Sequence, residues 1–208
     1  MKVQSRTLRR SSQIRNLVWG LTIVMAAALP ASSAQALAKA DSAIVRPDPL
    51  VAVVPVGGQV VVNLYVQDVV NLYGADVRIS FDPAVLQVVD ADPSVLGVQI
   101  QPLSSFLIPD FVVRKKACNA VDPADPDCQV GGVVWYAVTQ LNPSTPVSGS
   151  GPLAAVTFKR LQPGTTVLRA TRNQLADRFG ALIPSSSQNG AVELPPAVRK
   201  NYLPLILR

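Results

Sequence analysis

The stretch Cys118-Asn-Ala-Val-Asp-Pro-Ala-Asp-Pro-Asp-Cys128 holds the residues whose types and spacing come nearest to chemistry. A catalytic thiol needs a base beside it, and the chain has no histidine. Cys118 and Cys128 are therefore read as a loop-closing disulfide of an oxidising compartment, which contributes about 3 kcal/mol in the chain-entropy account. Asn119, Asp122, Asp125 and Asp127 offer oxygen donors inside that loop. Calcium takes roughly six to eight oxygens, and an EF-hand loop supplies a turn glycine and a bidentate glutamate, both missing here. Metal is expected to be none. Asp122, Asp125 and Asp127 are the residues that would ligate calcium if any did, and solvated turn aspartates before prolines account for them more simply.

Other catalytic classes fail on inventory. Glu193 is the only glutamate, whereas glycoside hydrolysis places two carboxylates around one bond. Asp76 and Asp82 fall at different faces or ends of one predicted strand. No glycine-rich phosphate loop or metal-ligand spacing is present. The chain reads as a non-enzyme, with no cofactor expected.

Lys2, Arg6, Arg9, Arg10 and Arg15 precede an apolar run from Leu17 to Leu29, closed by Pro30 and followed by Ala34-Gln35-Ala36. A basic start, a short apolar core and a small-x-small site describe a secretory signal peptide over residues 1–36. Contact with a membrane is then expected only during export, and the protein is expected to be secreted or at the cell surface. The whole chain has 19 basic and 13 acidic residues. Removing the five basic ones before Leu37 leaves a balance near neutrality, so no footprint for nucleic acid remains. Arg114-Lys115-Lys116 is the only basic triplet left, and it reads as a solvated loop.

The elements that must position these residues are short and β-rich. Ala75, Val77, Ile79 and Phe81 alternate with Asp76, Arg78 and Ser80, the period of a strand with one wet face. Proline ends it at Asp82-Pro83, and apolar residues resume at Val85-Leu86. Further strands are expected at 51–54, 60–66, 86–89, 131–140, 153–158, 165–170, 181–183 and 190–194. Ser148-Gly-Ser-Gly-Pro152 reads as part of a flexible connection. Long helical periodicity is missing, which points to one all-β sandwich. The expected division is a signal peptide at 1–36, a linker at 37–49, the sandwich at 50–194, and a Pro-Pro hinge with a tail at 195–208.

Strand, Asp-Pro corner and Val-Leu run, with Leu153-Ala-Ala-Val-Thr-Phe158, Asp177-Arg-Phe-Gly180 and Asn189-Gly-Ala-Val192 in that order, resemble a cohesin domain. Cohesins are the modules by which bacterial scaffold proteins hold dockerin-bearing enzymes. The resemblance implies a nine-stranded jelly-roll sandwich and docking on the sheet face that includes 72–81 and 133–140. Asp76 aligns with a cohesin aspartate that bonds the dockerin helix, whereas Gln140 replaces a frequent glutamate and Gly74 a frequent asparagine.

On this alignment Asp76, Arg78, Trp135, Ala137, Thr139 and Gln140 form the expected partner-binding set. Tryptophan and arginine dominate protein hot spots. The alternative assignment sends Trp135 into the core and leaves Tyr136 wet, because aromatic burial is the default. Expected partners are dockerin-bearing or other secreted proteins, in polysaccharide degradation. A carbohydrate-binding module is the second reading, needing a platform of aromatics such as Tyr65, Tyr73, Trp135 and Tyr136. A cell-envelope spacer is the third. The tail from Arg199 to Arg208, with Tyr202-Leu-Pro-Leu, reads as a sorting or surface-retention segment, or as a frayed end or extra edge strand.

Overall fold

A computed structural model describes residues 42–196. The signal peptide expected at 1–36, residues 37–41 and the tail from 197 with Tyr202 lie outside the described residues. Fourteen strand segments follow in order. They are β1 Ala43–Asp48, β2 Val51–Val53, β3 Gln59–Leu72, β4 Gly74–Ser80, β5 Leu86–Val88, β6 Val98–Gln99 and β7 Gln101–Pro102. The chain continues with β8 Phe111–Cys118, β9 Val133–Thr139, β10 Val147–Arg160, β11 Thr166–Ala176, β12 Leu182–Ile183, β13 Ser185–Ser187 and β14 Gly190–Glu193. No helix occurs among the described residues, and the all-β sandwich expected from the sequence is what forms.

The strands make two sheets. One runs β13-β1-β3-β10-β5, with β7 also on β10; the other runs β2-β14-β11-β4-β9-β8-β6, with β12 on β11. Alternation decides which side chains meet between them. Val62, Leu64, Val66, Val156 and Phe158 of the six-stranded sheet face Val77, Ile79, Val134, Tyr136 and Leu168 of the eight-stranded one, all buried. Each such side chain contributes about 1.5–3 kcal/mol on burial. Phe81 and Phe158 meet edge to face with ring centroids 5.3 Å apart. The Asp82-Pro83 corner is closed by hydrogen bonds from Val85 and Leu86 amides to the Asp82 carbonyl and from Ala84 to its carboxylate.

Three expectations are corrected. The linker at 37–49 contains β1, which lies between β13 and β3 with Ala43, Val45 and Pro47 buried. The stretch 148–152 is not a flexible connection but the start of β10, paired to β3 through bulges. There the Ser148 and Ser150 hydroxyls accept the Asn71 and Asp68 amides, so polar side chains complete a ladder that serine and glycine composition conceals. Arg114-Lys115-Lys116 lies in β8 rather than in a loop. At the far end of β10, Arg160 is fully buried and donates from Nη1 to the Gly164 carbonyl, fastening the turn into β11.

Candidate functional site

Strand β4 buries Ala75, Val77 and Ile79, leaving Asp76, Arg78 and Ser80 on the outer face of the eight-stranded sheet. In β9, Val134, Tyr136 and Val138 are buried and Trp135 is half-buried on the outer side. Tyr136 thus fills the core, where burial pushes its phenol above its ordinary pKa, and the assignment with Trp135 inside is excluded. Gly132 sets this register. Its amide donates to the Cys118 carbonyl, its carbonyl accepts the Phe81 amide, and its φ is +70°. A Cβ there would lie 2.2 Å from the Phe81 carbonyl oxygen.

Antiparallel pairing lays the outward residues in rows across β8, β9, β4 and β11. One row reads Phe111, Thr139, Gly74, Ala176, and continues to Leu182 of β12. The next is Arg114, Ala137, Asp76, Gln174, and the third is Lys116, Trp135, Arg78, Arg172. The structure therefore brings Asp76, Arg78, Trp135, Ala137 and Thr139 onto one face. Gln140 does not join them. It continues the inward alternation of Val134, Tyr136 and Val138 and is 1% exposed, so its side chain is not available to a partner, which corrects its place in the expected set.

Trp135 is held by three neighbours. Its indole Nε1 donates to Asp76 Oδ1 at 2.8 Å. The Arg78 guanidinium lies 3.6 Å from the ring centroid and that of Arg114 5.4 Å away. Each such stack is worth about 0.5–2 kcal/mol, more as water is excluded. Asp76 Oδ2 faces Arg172 Nε at 2.7 Å. Sequence alignment of side-chain types suggests Asp76, Arg78 and Trp135, but misses Arg114 and Arg172. Arg114 is concealed by a basic triplet that reads as a loop, and Arg172 follows a bulge in β11 that shifts its register.

The loop between Cys118 and Cys128, joined as a disulfide, folds along the same face. Asp127 Oδ2 lies 2.9 Å from Arg114 Nε, and Asp125 accepts a hydrogen bond from Lys116 Nζ. That bond, and the Asp127 amide, hold the Asp125 carboxyl below its ordinary range. The Asp122 carboxylate caps its own turn by accepting the Ala124 amide. The acids considered for calcium are thus committed to cations and turn amides, and among the described residues no group of three acidic, cysteine or histidine side chains has metal-binding geometry.

Two hollows flank the Trp135–Asp76 pair. One, of about 450 Å³, is walled by Trp135, Arg78, Thr171, Asp127 and Val130. The other, of about 360 Å³, is lined by Gly74, Ala137, Thr139, Ala176, Val113 and Leu182. Tyr65 lies on the opposite sheet under Arg46, whose guanidinium is 4.6 Å from its ring. With Tyr136 in the core and Tyr65 on the other sheet, neither joins Trp135 in a row on the outer face.

The sequence model of the cohesin domain matches residues 50–178. This chain belongs to the cohesin family. Its fold is similar to that of a chain in the crystal structure of the complex between CaCohA2, from Clostridium acetobutylicum, and a variant of CaDoc0917, with TM-score 0.55 and 16% identity over 74% of this chain and 100% of that one. It is also similar to a non-cellulosomal cohesin from the archaeon Archaeoglobus fulgidus, with TM-score 0.51 and 15% identity over 74% and 92% of the two chains. The sixth cohesin of Acetivibrio cellulolyticus scaffoldin B, in complex with a Cel5 dockerin mutant, gives TM-score 0.51 and 13% identity over 74% and 99%. No curated protein sequence matches the chain.

Proposed function

We propose that this cohesin is an exported, non-catalytic module that holds a dockerin-bearing secreted protein against the outer face of its eight-stranded sheet, in assemblies that act on extracellular polysaccharide. The observation that carries the reading is the fixed, outward Trp135, pinned by Asp76 and stacked by Arg78. A large side chain already immobilised loses little further entropy on binding, which is how a hot spot gains affinity. The Acetivibrio cohesin of similar fold is seen with a dockerin, which supports the choice of partner. The disulfide and the N-terminal basic and apolar pattern support export.

The test is isothermal titration of the full chain with calcium-loaded dockerin modules and with the same modules in chelator. Calcium-dependent binding that weakens at least a hundredfold in Trp135→Ala is the expected result. Retention of insoluble glycan with no dockerin bound would transfer the function to carbohydrate binding, and binding of neither would leave a spacer.

A further inference from the structure

We propose that the hollow beside Trp135, walled by the disulfide loop, is a binding site for a uronic acid unit of an acidic polysaccharide. The inference goes beyond the docking reading, which concerns a protein partner, and does not depend on it.

The hollow is built where the sheet surface steps down. Beyond the row that holds Trp135 and Arg78, the next outward residues are Val133 and Ser80, with Arg169 paired to Ser80. Val133 and Ser80 are small beside Trp135 and Arg78, so they form a floor below those two side chains. The connection from β8 to β9 supplies the facing wall through Pro126, Asp127, Gln129 and Val130, and Thr171 closes the side toward β11. The volume of about 450 Å³ lies within the range of roughly 300–1,000 Å³ usual for small-ligand sites.

The lining has two characters. Trp135, Val133, Val130 and Pro126 offer carbon surface, whereas Ser80, Thr171 and Gln129 offer hydroxyls and an amide. Gln129 Nε2 donates to the Asp125 carbonyl at 2.8 Å, which leaves its Oε1 to accept from an incoming hydroxyl. Thr171 Oγ1 donates to the Arg78 carbonyl at 3.4 Å and keeps lone pairs for a ligand. A pyranose ring divides in the same way, with C–H faces and a rim of hydroxyls. An acidic side chain of a protein would use only the cation and leave the uncharged polar groups unmatched.

The charge of the ligand follows from what the arginines lack. Asp76 is taken by Arg172, Asp127 by Arg114 and Asp125 by Lys116. Among the described residues Arg78 and Arg169 reach no carboxylate. The Arg78 guanidinium rests 3.6 Å from the Trp135 ring centroid, with its Nε packed away and without a hydrogen bond. Its two Nη atoms are then the edge left to the hollow, and that edge matches a carboxylate in bidentate fashion. The stack holds the guanidinium in place before the ligand arrives, which reduces the entropy lost on binding. A neutral sugar would cover this cation without giving it an anion, at a cost in desolvation.

The experiment titrates the full chain calorimetrically with trigalacturonate and with its methyl ester, whose rings are the same but uncharged. The acid should bind about tenfold more tightly than the ester, as for a charge-assisted bond gained. Arg78→Gln should weaken the acid about tenfold and erase its advantage over the ester. Gln129→Ala should weaken both about threefold, as for one neutral hydrogen bond. Ser80→Phe fills the floor and should abolish binding, with circular dichroism and thermal melting checking that each variant is folded. Equal binding of acid and ester would overturn the charge assignment. Binding indifferent to both Arg78→Gln and Ser80→Phe would place the sugar elsewhere and overturn the site. Equal affinity for a capped triglutamate peptide would give the hollow to acidic protein side chains and overturn the sugar. Absence of binding to the folded chain would overturn the proposal outright, and the docking reading would stand, since no dockerin enters the titration.

Discussion

Trp135 donates its indole N–H to Asp76 Oδ1 at 2.8 Å, from the neighbouring strand of the same sheet. The two residues are not directly opposite: Asp76 pairs with Ala137 and Arg78 with Trp135, so the bond is diagonal and tilts the indole across the strand. Ala137 permits this tilt because it is small. Arg78 then covers the ring it faces, and Arg172 takes the other Asp76 oxygen.

Asp76→Ala frees the indole N–H and leaves Arg172 without its anion. The expected loss of stability is about 1–2 kcal/mol, as for a charge-assisted bond at a half-exposed site. Tryptophan fluorescence reads the same event directly, since Trp135 is the only tryptophan beyond the expected signal segment. A shift of its emission maximum to longer wavelength in Asp76→Ala is expected; an unchanged spectrum would mean that the bond does not hold the ring.

Acid should weaken the fold through surface carboxylates. Asp125 is held low by the Lys116 hydrogen bond, Asp110 by the Ser144 hydroxyl and then the Leu141 amide, and Asp92 by Ser94 and Lys115. A carboxyl whose folded pKa lies below its unfolded value of 3.8 stabilises fully above that value and loses the contribution as pH falls through the folded one. Melting temperature should therefore be flat from neutral pH to about pH 5 and fall below about pH 4. Asp125→Asn should show a shallower fall than the parent, and parallel curves would remove the Lys116 pair as a contributor.

Reduction of the Cys118–Cys128 disulfide should lower unfolding stability by about 3 kcal/mol. The loop it closes carries Asp125 and Asp127 to Lys116 and Arg114. Denaturant titration with and without reductant measures the cost. Cys118→Ser with Cys128→Ser should also weaken partner binding, because Arg114 then loses the acid that steadies it beside Trp135.

Gly132→Ala is expected to cost about 3 kcal/mol or to prevent folding. Its φ of +70° disfavours a side chain, and the added Cβ would strike the Phe81 carbonyl at 2.2 Å. Gly149 has a positive φ as well, with nothing within 4 Å of an added Cβ. Gly149→Ala therefore separates backbone strain from collision, and a loss of about 1 kcal/mol is expected there. Equal losses at the two sites would show that the contact with Phe81 is not what matters.

The all-β class, the alternation of β4 and β9, the Asp-Pro corner and the disulfide were legible in the amino-acid order. Each is written in residues close along the chain: alternation assigns faces by a fixed period, and proline and cysteine act through covalent geometry. The same local rule hid β1 and the start of β10, because Ser148-Gly-Ser-Gly-Pro152 becomes a strand only when β3 supplies the partners for its backbone and hydroxyls. That Trp135 faces outward is a property of the packed sheets, since alternation sorts residues into two sets without saying which set meets the other sheet. Packing also set the composition of the face. Arg114, Asp127 and Arg172 come from separate parts of the chain, and only the order of strands and the bulges in β8 and β11 place them beside Trp135 and Asp76.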